Sequence, residues 1–251
     1  MKLIINNDLT SKIKPAKAKI RKLVFNETKI KNPEQEFDLF TKEVTSIVKR
    51  NEKITPDSFF AKLNALSQRL VGENKTNLLN NRGKQLAEKL VGLNNGDLAG
   101  IIYSMLIKIN NNDTKLVEQL ATNGLAIAKR FHDPVHIMAR CEDLRKIYSI
   151  TDPCSDKLLK VLYEEKRALN GICKNYSSAQ NRFMTISKKM RPLENYQKML
   201  IAIKIQIAKF LKDKNPNEAV KELNSAKEML SQLGDGAYSK QIETLLNQLN
   251  N

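Results

Sequence analysis

The sequence predicts an all-α protein, and three observations lead to that prediction. Apolar residues recur every three or four positions through most of the 251 residues, as on the buried face of a helix. Pairs such as Asn32-Pro33 and Thr55-Pro56 precede these runs, and a capping residue followed by proline is typical of a helix start. The chain has only 9 Gly and 7 Pro, so few residues would break a helix.

Residues 1–31 form a basic arm, with nine Lys or Arg against two acids. Pro15 interrupts the arm, and Ile20, Leu23 and Val24 would share one face of a helix after it. A basic amphipathic helix lies on membranes or on acidic partners. The alternative is a terminal arm that frays or docks on the next domain, which is the more common outcome.

Residues 32–96 form a predicted N-terminal helical segment of three helices. The first begins at Asn32-Pro33, the second at Thr55-Pro56, and the third spans roughly residues 77–91. The stretch 92–97 predicts a turn or a domain boundary. The residues expected on the buried stripes are Phe37, Phe40, Val44, Ile47, Val48, Phe59, Phe60, Leu63, Leu66, Leu70, Leu78, Leu79, Leu86, Ala87 and Leu90.

Residues 97–251 continue with further helices, for a total of about eleven. One of them is expected around Phe183–Ile186, before Pro192. Residues 201–207 alternate between apolar and other side chains, which also fits a strand, but the helical flanks favour a helix over about 193–212. The other predicted helices begin near residues 97, 113, 134, 155 and 216. The last one follows Gly234-Asp235-Gly236 and carries Ile242, Leu245, Leu246 and Leu249.

Two stretches of this C-terminal region carry a spaced set of large and small residues. The later one places Phe210 in one helix and Ala219, Leu223 and Ala226 in the next. This pattern resembles the tetratricopeptide repeat, a helical hairpin of about 34 residues in which small residues let two helices pack closely.

The earlier stretch places Gly124 at a small-residue position of that repeat, followed by Leu144 and Tyr148. In this earlier stretch Arg145 stands where the repeat has glycine. In the later stretch Ile203, Gln206 and Ile207 stand where the repeat usually has Trp, Leu and Gly. The resemblance implies stacked antiparallel hairpins in a right-handed superhelix over 97–251, and a non-enzymatic binding scaffold. An irregular helical bundle is the alternative.

The net charge of +16 predicts an acidic partner, although the codon bias of an AT-rich genome would also raise the lysine content. Residues 174–214 carry ten Lys or Arg and two acids. The candidate contacts to an acidic protein or peptide are Lys188, Lys189, Arg191, Lys198 and Lys204.

Two other partners stay open at this point. Tyr176, Phe183 and Tyr196 lie among these cations, so residues 1–31 and 174–214 would also suit a nucleic acid, unless the aromatics belong to the core. The third interpretation is an anionic membrane surface bound by residues 12–31, which we rank below the other two.

The sequence predicts no enzyme, no cofactor and no metal site. His132 and His136 are the only histidines, and a loop with Pro134 separates them. Glu164-Glu165 is expected on the solvated surface, paired with Lys160 or Lys157. Three cysteines with no Cys-x-x-Cys pair, and no signal or membrane-spanning run, predict a cytoplasmic protein, although export without a signal stays open.

Overall fold

Side-chain caps begin most of the helices at the positions that the sequence indicates. In the computed structural model, the Asn32 Oδ1 atom accepts a hydrogen bond from the Glu34 amide (2.9 Å), and Asp113 Oδ1 accepts one from Leu116 (2.9 Å). Each bond satisfies an amide that has no partner within its own helix. The structure describes residues 20–21, 32–177, 191–234, 236 and 238–250.

Ten helices lie in these described ranges, and the all-α prediction is confirmed. The helix predicted around Phe183–Ile186 falls outside them, and the run 201–207 is helical rather than extended. The bounds are α1 Pro33–Lys49, α2 Pro56–Gly72, α3 Thr76–Gly92, α4 Gly96–Ile109, α5 Thr114–Arg130, α6 Pro134–Thr151, α7 Asp156–Lys174, α8 Leu193–Leu211, α9 Pro216–Leu233 and α10 Ser239–Asn250.

Four of the helices end on a left-handed residue that is not glycine. Asn51, Asn74, Asn94 and His132 have φ between 49° and 58°. The residue after each donates its amide to the carbonyl five positions back, as in Asn95 N to Leu90 O (2.8 Å). Asparagine tolerates this conformation better than other non-glycine residues, so it permits connections of three to six residues here.

A short repeat that the sequence analysis did not identify accompanies these ends. Residues 70–74 read Leu-Val-Gly-Glu-Asn and residues 90–94 read Leu-Val-Gly-Leu-Asn. Both segments close a 17-residue helix, α2 and α3. The first leucine is fully buried in each case, and the asparagine forms the left-handed end. The spacing of 20 residues is the length of one helix and its connection.

Helices that follow one another in sequence pack against each other throughout the array. Contacts also skip one helix, since α1 touches α3 and α2 touches α4. The Arg140 guanidinium of α6 donates to the Ser104 hydroxyl of α4 (3.1 Å), which joins a third such pair. One continuous apolar core runs from Phe37 to Leu245, and it crosses the stretch 92–97.

The residues that resemble the tetratricopeptide repeat lie mainly inside this core. Ala219, Leu223 and Ala226 are fully buried on α9, and Leu144 and Tyr148 are buried on α6. A Cβ atom at Gly124 would lie 2.9 Å from Arg140 Cδ and 3.3 Å from Tyr103 Cβ. A larger residue at position 124 would therefore push α4 and α6 away from α5.

Two findings correct the expected N-terminal region. Ile20–Arg21 pair in parallel with Lys53–Ile54 as two short strands, β1 and β2, so Ile20 is not helical. The connection before α2 is extended at 53–54 and offers free backbone groups for this pairing. Phe60, expected in the core beside Phe59, is 45% exposed because adjacent helical positions point about 100° apart. No helix in the described ranges has the length and apolarity needed to span a bilayer.

Candidate functional site

The three predicted partner-binding cations that the structure describes, Arg191, Lys198 and Lys204, have three different environments. Lys188 and Lys189 lie outside the described residues and stay a prediction. Arg191 is exposed just before α8, where its Nη1 atom lies 3.3 Å from Met199 Sδ. Lys198 is half-buried and forms an ion pair with Glu194 one turn earlier (2.8 Å). Among the described candidates, only Arg191 is therefore exposed.

The structure corrects the prediction that Lys204 contacts a partner, because this side chain lies in the interior and not on a solvated face. It is 8% exposed on α8 and donates to Ser225 Oγ (3.0 Å) and Glu222 Oε2 (3.3 Å) on α9. The other oxygen of Glu222 accepts from Lys166 on α7, whose ammonium lies 4.7 Å from the Tyr163 ring centre. One buried carboxylate thus compensates two lysines and links three helices.

Three lysines at and just after the C-terminal end of α8 have a different environment. Lys209, Lys212 and Lys214 are exposed beside a pocket of about 420 Å³ between the α6–α7 connection and the end of α8. We call this site the basic pocket. Its lining residues include Ser149, Pro153, Cys154, Leu158, Leu162, Phe210 and Asp213.

The basic pocket combines an apolar interior with a cationic mouth. Leu158 and Leu162 are buried and form its inner wall. The Lys214 ammonium lies 4.4 Å from the Phe210 ring centre, where the negative face of the ring attracts it. Lys209 and Lys212 have no hydrogen-bond or ion-pair partner among the described residues. Their charges are therefore available to a ligand.

An exposed apolar side chain stands next to this site. Ile150, on the last turn of α6, is 84% exposed, and its neighbour Ser149 lines the basic pocket. Single exposed apolar residues are common, but one beside an apolar pocket enlarges the surface that a partner can cover. The pocket lysines Lys209, Lys212 and Lys214 fall in the predicted basic stretch 174–214, although none of them was a candidate contact.

The two histidines are held apart by the α5–α6 connection. His132 forms the left-handed end of α5, whereas His136 is buried on α6 with Nδ1 2.7 Å from Asp133 Oδ2. Burial opposes ionisation of Asp133, but hydrogen bonds from the His136 side chain and from the Val135 and His136 amides hold its pKa below the usual value. No group of three metal-ligating side chains converges in the part of the chain described.

The structure corrects the expectation that Glu164 and Glu165 both lie on the solvated surface, because Glu165 does not. It is fully buried (0% exposed) on α7 and accepts from Arg145 Nε on α6 (2.8 Å), while Glu164 pairs with Lys129 and Arg167. Burial together with the Glu165 charge raises the pKa of the nearby Cys141 thiol to about 12. A thiol with that pKa stays protonated at neutral pH and is a poor nucleophile.

The aromatic residues of the basic stretch pack within the fold where they are described. Tyr196 is buried on α8, with its ring centre 6.4 Å from that of Tyr176. The Tyr176 hydroxyl donates to the Arg191 carbonyl oxygen (2.9 Å). Tyr196 therefore has no free face on which a base could stack, and Phe183 lies outside the described residues.

Comparisons of the chain with protein-family models, with curated proteins and with solved structures find no match.

Proposed function

We propose that this chain is a non-enzymatic helical scaffold whose basic pocket binds an acidic segment of a partner protein. One observation carries the proposal: two unpaired lysines, Lys209 and Lys212, lie at the mouth of a pocket whose inner wall is apolar. An apolar side chain of the partner would enter the pocket, and its acidic neighbours would lie against the lysines.

The tetratricopeptide-like superhelix over 97–251 is part of the same proposal. Sequential packing of the helices from α4 onward, the Arg140–Ser104 hydrogen bond between α6 and α4, and the close approach at Gly124 support it over an irregular bundle. A cytoplasmic location is also proposed, since Cys141, Cys154 and Cys173 are all free. An experimental structure in which successive hairpins rotate in alternating directions would contradict the superhelix.

The test begins with capture of a partner from native lysate on the immobilised full-length chain, with and without nuclease. The affinity of the purified partner is then measured for the wild type and for Lys209→Glu/Lys212→Glu. We expect the charge swap to weaken binding about tenfold or more at low ionic strength, and less at high salt.

The matched control is Lys227→Glu/Lys240→Glu, which makes the same charge change at exposed positions on α9 and α10. Equal losses for the two double variants would mean that the overall charge, and not the basic pocket, determines binding. Capture that disappears after nuclease treatment, with affinity for generic RNA falling steeply with salt, would replace the protein partner with a nucleic acid.

A further inference from the structure

A second groove lies between α2 and α4, about 350 Å³ in volume, and we call it the α2–α4 groove. Phe60 and Val71, 45% and 37% exposed, line it from α2. These are two of the four large apolar side chains that are exposed in the described ranges. They lie eleven positions apart on one helix, a distance of about 16 Å along its axis. The groove is therefore long enough for several residues of a bound chain.

The α2 wall also carries two free carboxamides between these apolar side chains. Asn64 and Gln68 line the groove and have no hydrogen-bond partner among the described residues. They are one turn apart, so their amides are separated by about 6 Å along the helix. Backbone groups on one side of an extended chain recur every two residues, or about 6.6 Å. A carboxamide both donates and accepts, so this pair matches an extended backbone.

The charge of the groove is positive and uncompensated. Lys108 on α4 is exposed at the groove and has no ion-pair partner in the described ranges, and no Asp or Glu belongs to the described lining. A second copy of this chain would bring another net charge of +16 to the contact, which opposes self-association. The complementary ligand is acidic.

From these features we infer that the α2–α4 groove binds an extended, acidic segment of a partner protein. Apolar side chains of the segment pack against Phe60 and Val71, its backbone bonds to Asn64 and Gln68, and one carboxylate pairs with Lys108. This site does not share residues with the basic pocket and does not depend on the function proposed for it.

The test selects ligands from a displayed library of random 12-residue peptides on the full-length chain, with Phe60→Asp as the counter-selection target. We expect enrichment of sequences that contain both acidic and apolar residues. Their affinity, measured by fluorescence anisotropy, should fall about tenfold on Lys108→Glu and on Asn64→Ala/Gln68→Ala. N-methylation of the peptide backbone at alternate residues should weaken binding in the same way.

The control is Lys89→Glu, an equal charge change at an exposed position on α3, which should leave the affinity unchanged. Circular dichroism checks that each variant is folded, and Lys108→Glu replaces Phe60→Asp in the counter-selection if the latter unfolds. Peptides that bind all variants equally, or that bind better when stapled as helices, would overturn the inference. Dimerisation of the wild type that Phe60→Asp abolishes would assign the groove to a second copy.

Discussion

The interiors of α1–α4 and of α6–α9 differ in what they bury. In the first, Phe37, Phe40 and Phe59 pack together, with ring centres 6.1 Å and 5.4 Å apart along the series. The buried polar groups there are neutral: Ser67, and an Asn80–Asn110 pair joined by two hydrogen bonds (3.0 and 2.8 Å). The second interior buries the charged residues Arg140, Glu165, Lys204 and Glu222.

The two interiors hold their helices together in different ways, by apolar packing in α1–α4 and by buried ion pairs in α6–α9. Apolar burial stabilises in proportion to area and has little directional preference, so in α1–α4 the cost of a substitution follows the apolar area and volume that it removes. A buried ion pair adds little net stability, but removal of one partner leaves an uncompensated charge. We therefore expect ionic links such as Arg145–Glu165 to constrain which helices of α6–α9 pair and in which register.

The largest effect is expected in the aromatic cluster of α1–α4. Phe40→Ala should lower the free energy of unfolding by about 4 kcal/mol, because it removes a fully buried ring and leaves a cavity. Urea unfolding followed by circular dichroism measures the change. The neighbouring Leu39 is half-exposed, and Leu39→Ala should cost about 1 kcal/mol or less. Similar losses at both positions would show that this core is not packed as described.

The second effect tests the charged interior. Glu222→Gln should cost about 3 kcal/mol, because Lys166 and Lys204 lose the carboxylate that compensates them. Glu228→Gln, at an exposed position of the same helix, should stay within about 0.5 kcal/mol of the wild type. The same urea titration gives both values.

A result as mild at Glu222 as at Glu228 would mean that the two lysines reach water when their partner is lost. Simultaneous replacement of Lys166 and Lys204 by Met and of Glu222 by Leu sharpens the comparison further. Removing all three charges should be neutral or stabilising, since no buried charge is left without a partner.

Much of the fold was predictable, because caps and apolar spacing are local signals. The starts of α1, α6 and α9 follow directly from a capping residue and a proline. The start of α2 follows Thr55-Pro56 in the same way, but Thr55 makes no side-chain capping bond. The 20-residue repeat that ends in Asn74 and Asn94 was also present in the sequence. It was missed because the usual signal for a helix end is glycine at the left-handed position, and asparagine occupies it here.

The placement of charges was less predictable, because partners in the fold come from distant parts of the sequence. Lys204 lies 18 residues before Glu222, and Arg145 lies 20 residues before Glu165. A helix period shows which positions share a face, but not which residue of another helix lies opposite. Lys204, Lys209 and Lys212 are the same residue type within nine positions, and the sequence does not show which of them faces another helix. The basic pocket therefore required the structure.

The third prediction concerns the boundary between the two interiors. Gly124→Ala should destabilise by about 1 kcal/mol. The steric cost of the new methyl group against Arg140 and Tyr103 should exceed the free energy gained from the higher helix propensity of alanine. Gly92→Ala at the end of α3 meets open space and should be neutral or stabilise by up to about 1 kcal/mol. Thermal unfolding of the two variants shows whether each substitution lowers or raises stability relative to the wild type. A stabilising Gly124→Ala would show that α4, α5 and α6 are less closely packed than described.

The smallest effect is a pH dependence at the cap of α6. The pKa of Asp133 is held below its unfolded value by the His136 side chain and two amides, against the opposing effect of burial. The folded state therefore binds fewer protons than the unfolded chain as the pH falls below the unfolded pKa. The contribution of the carboxylate is present above the unfolded pKa and is lost as the pH falls through the lower folded pKa. Asp133→Asn keeps a capping oxygen but has no charge to lose.

At pH 7 the Asn variant should be less stable by about 0.5 kcal/mol, the value of a charge near a helix N-terminus. This difference should shrink between about pH 5 and pH 2, first as the carboxylate of the unfolded chain takes up its proton and then as the folded carboxylate, whose pKa is lower, does so. Asp133→Ala separates the cap from the charge, since it should lose a further amount of about 1 kcal/mol at every pH in the range. Urea titrations at four pH values measure all three curves. Parallel curves for the wild type and the Asn variant would mean that the Asp133 charge does not contribute to stability. Arg140 would then be the first residue of α6 whose charge matters for the packing of α6–α9.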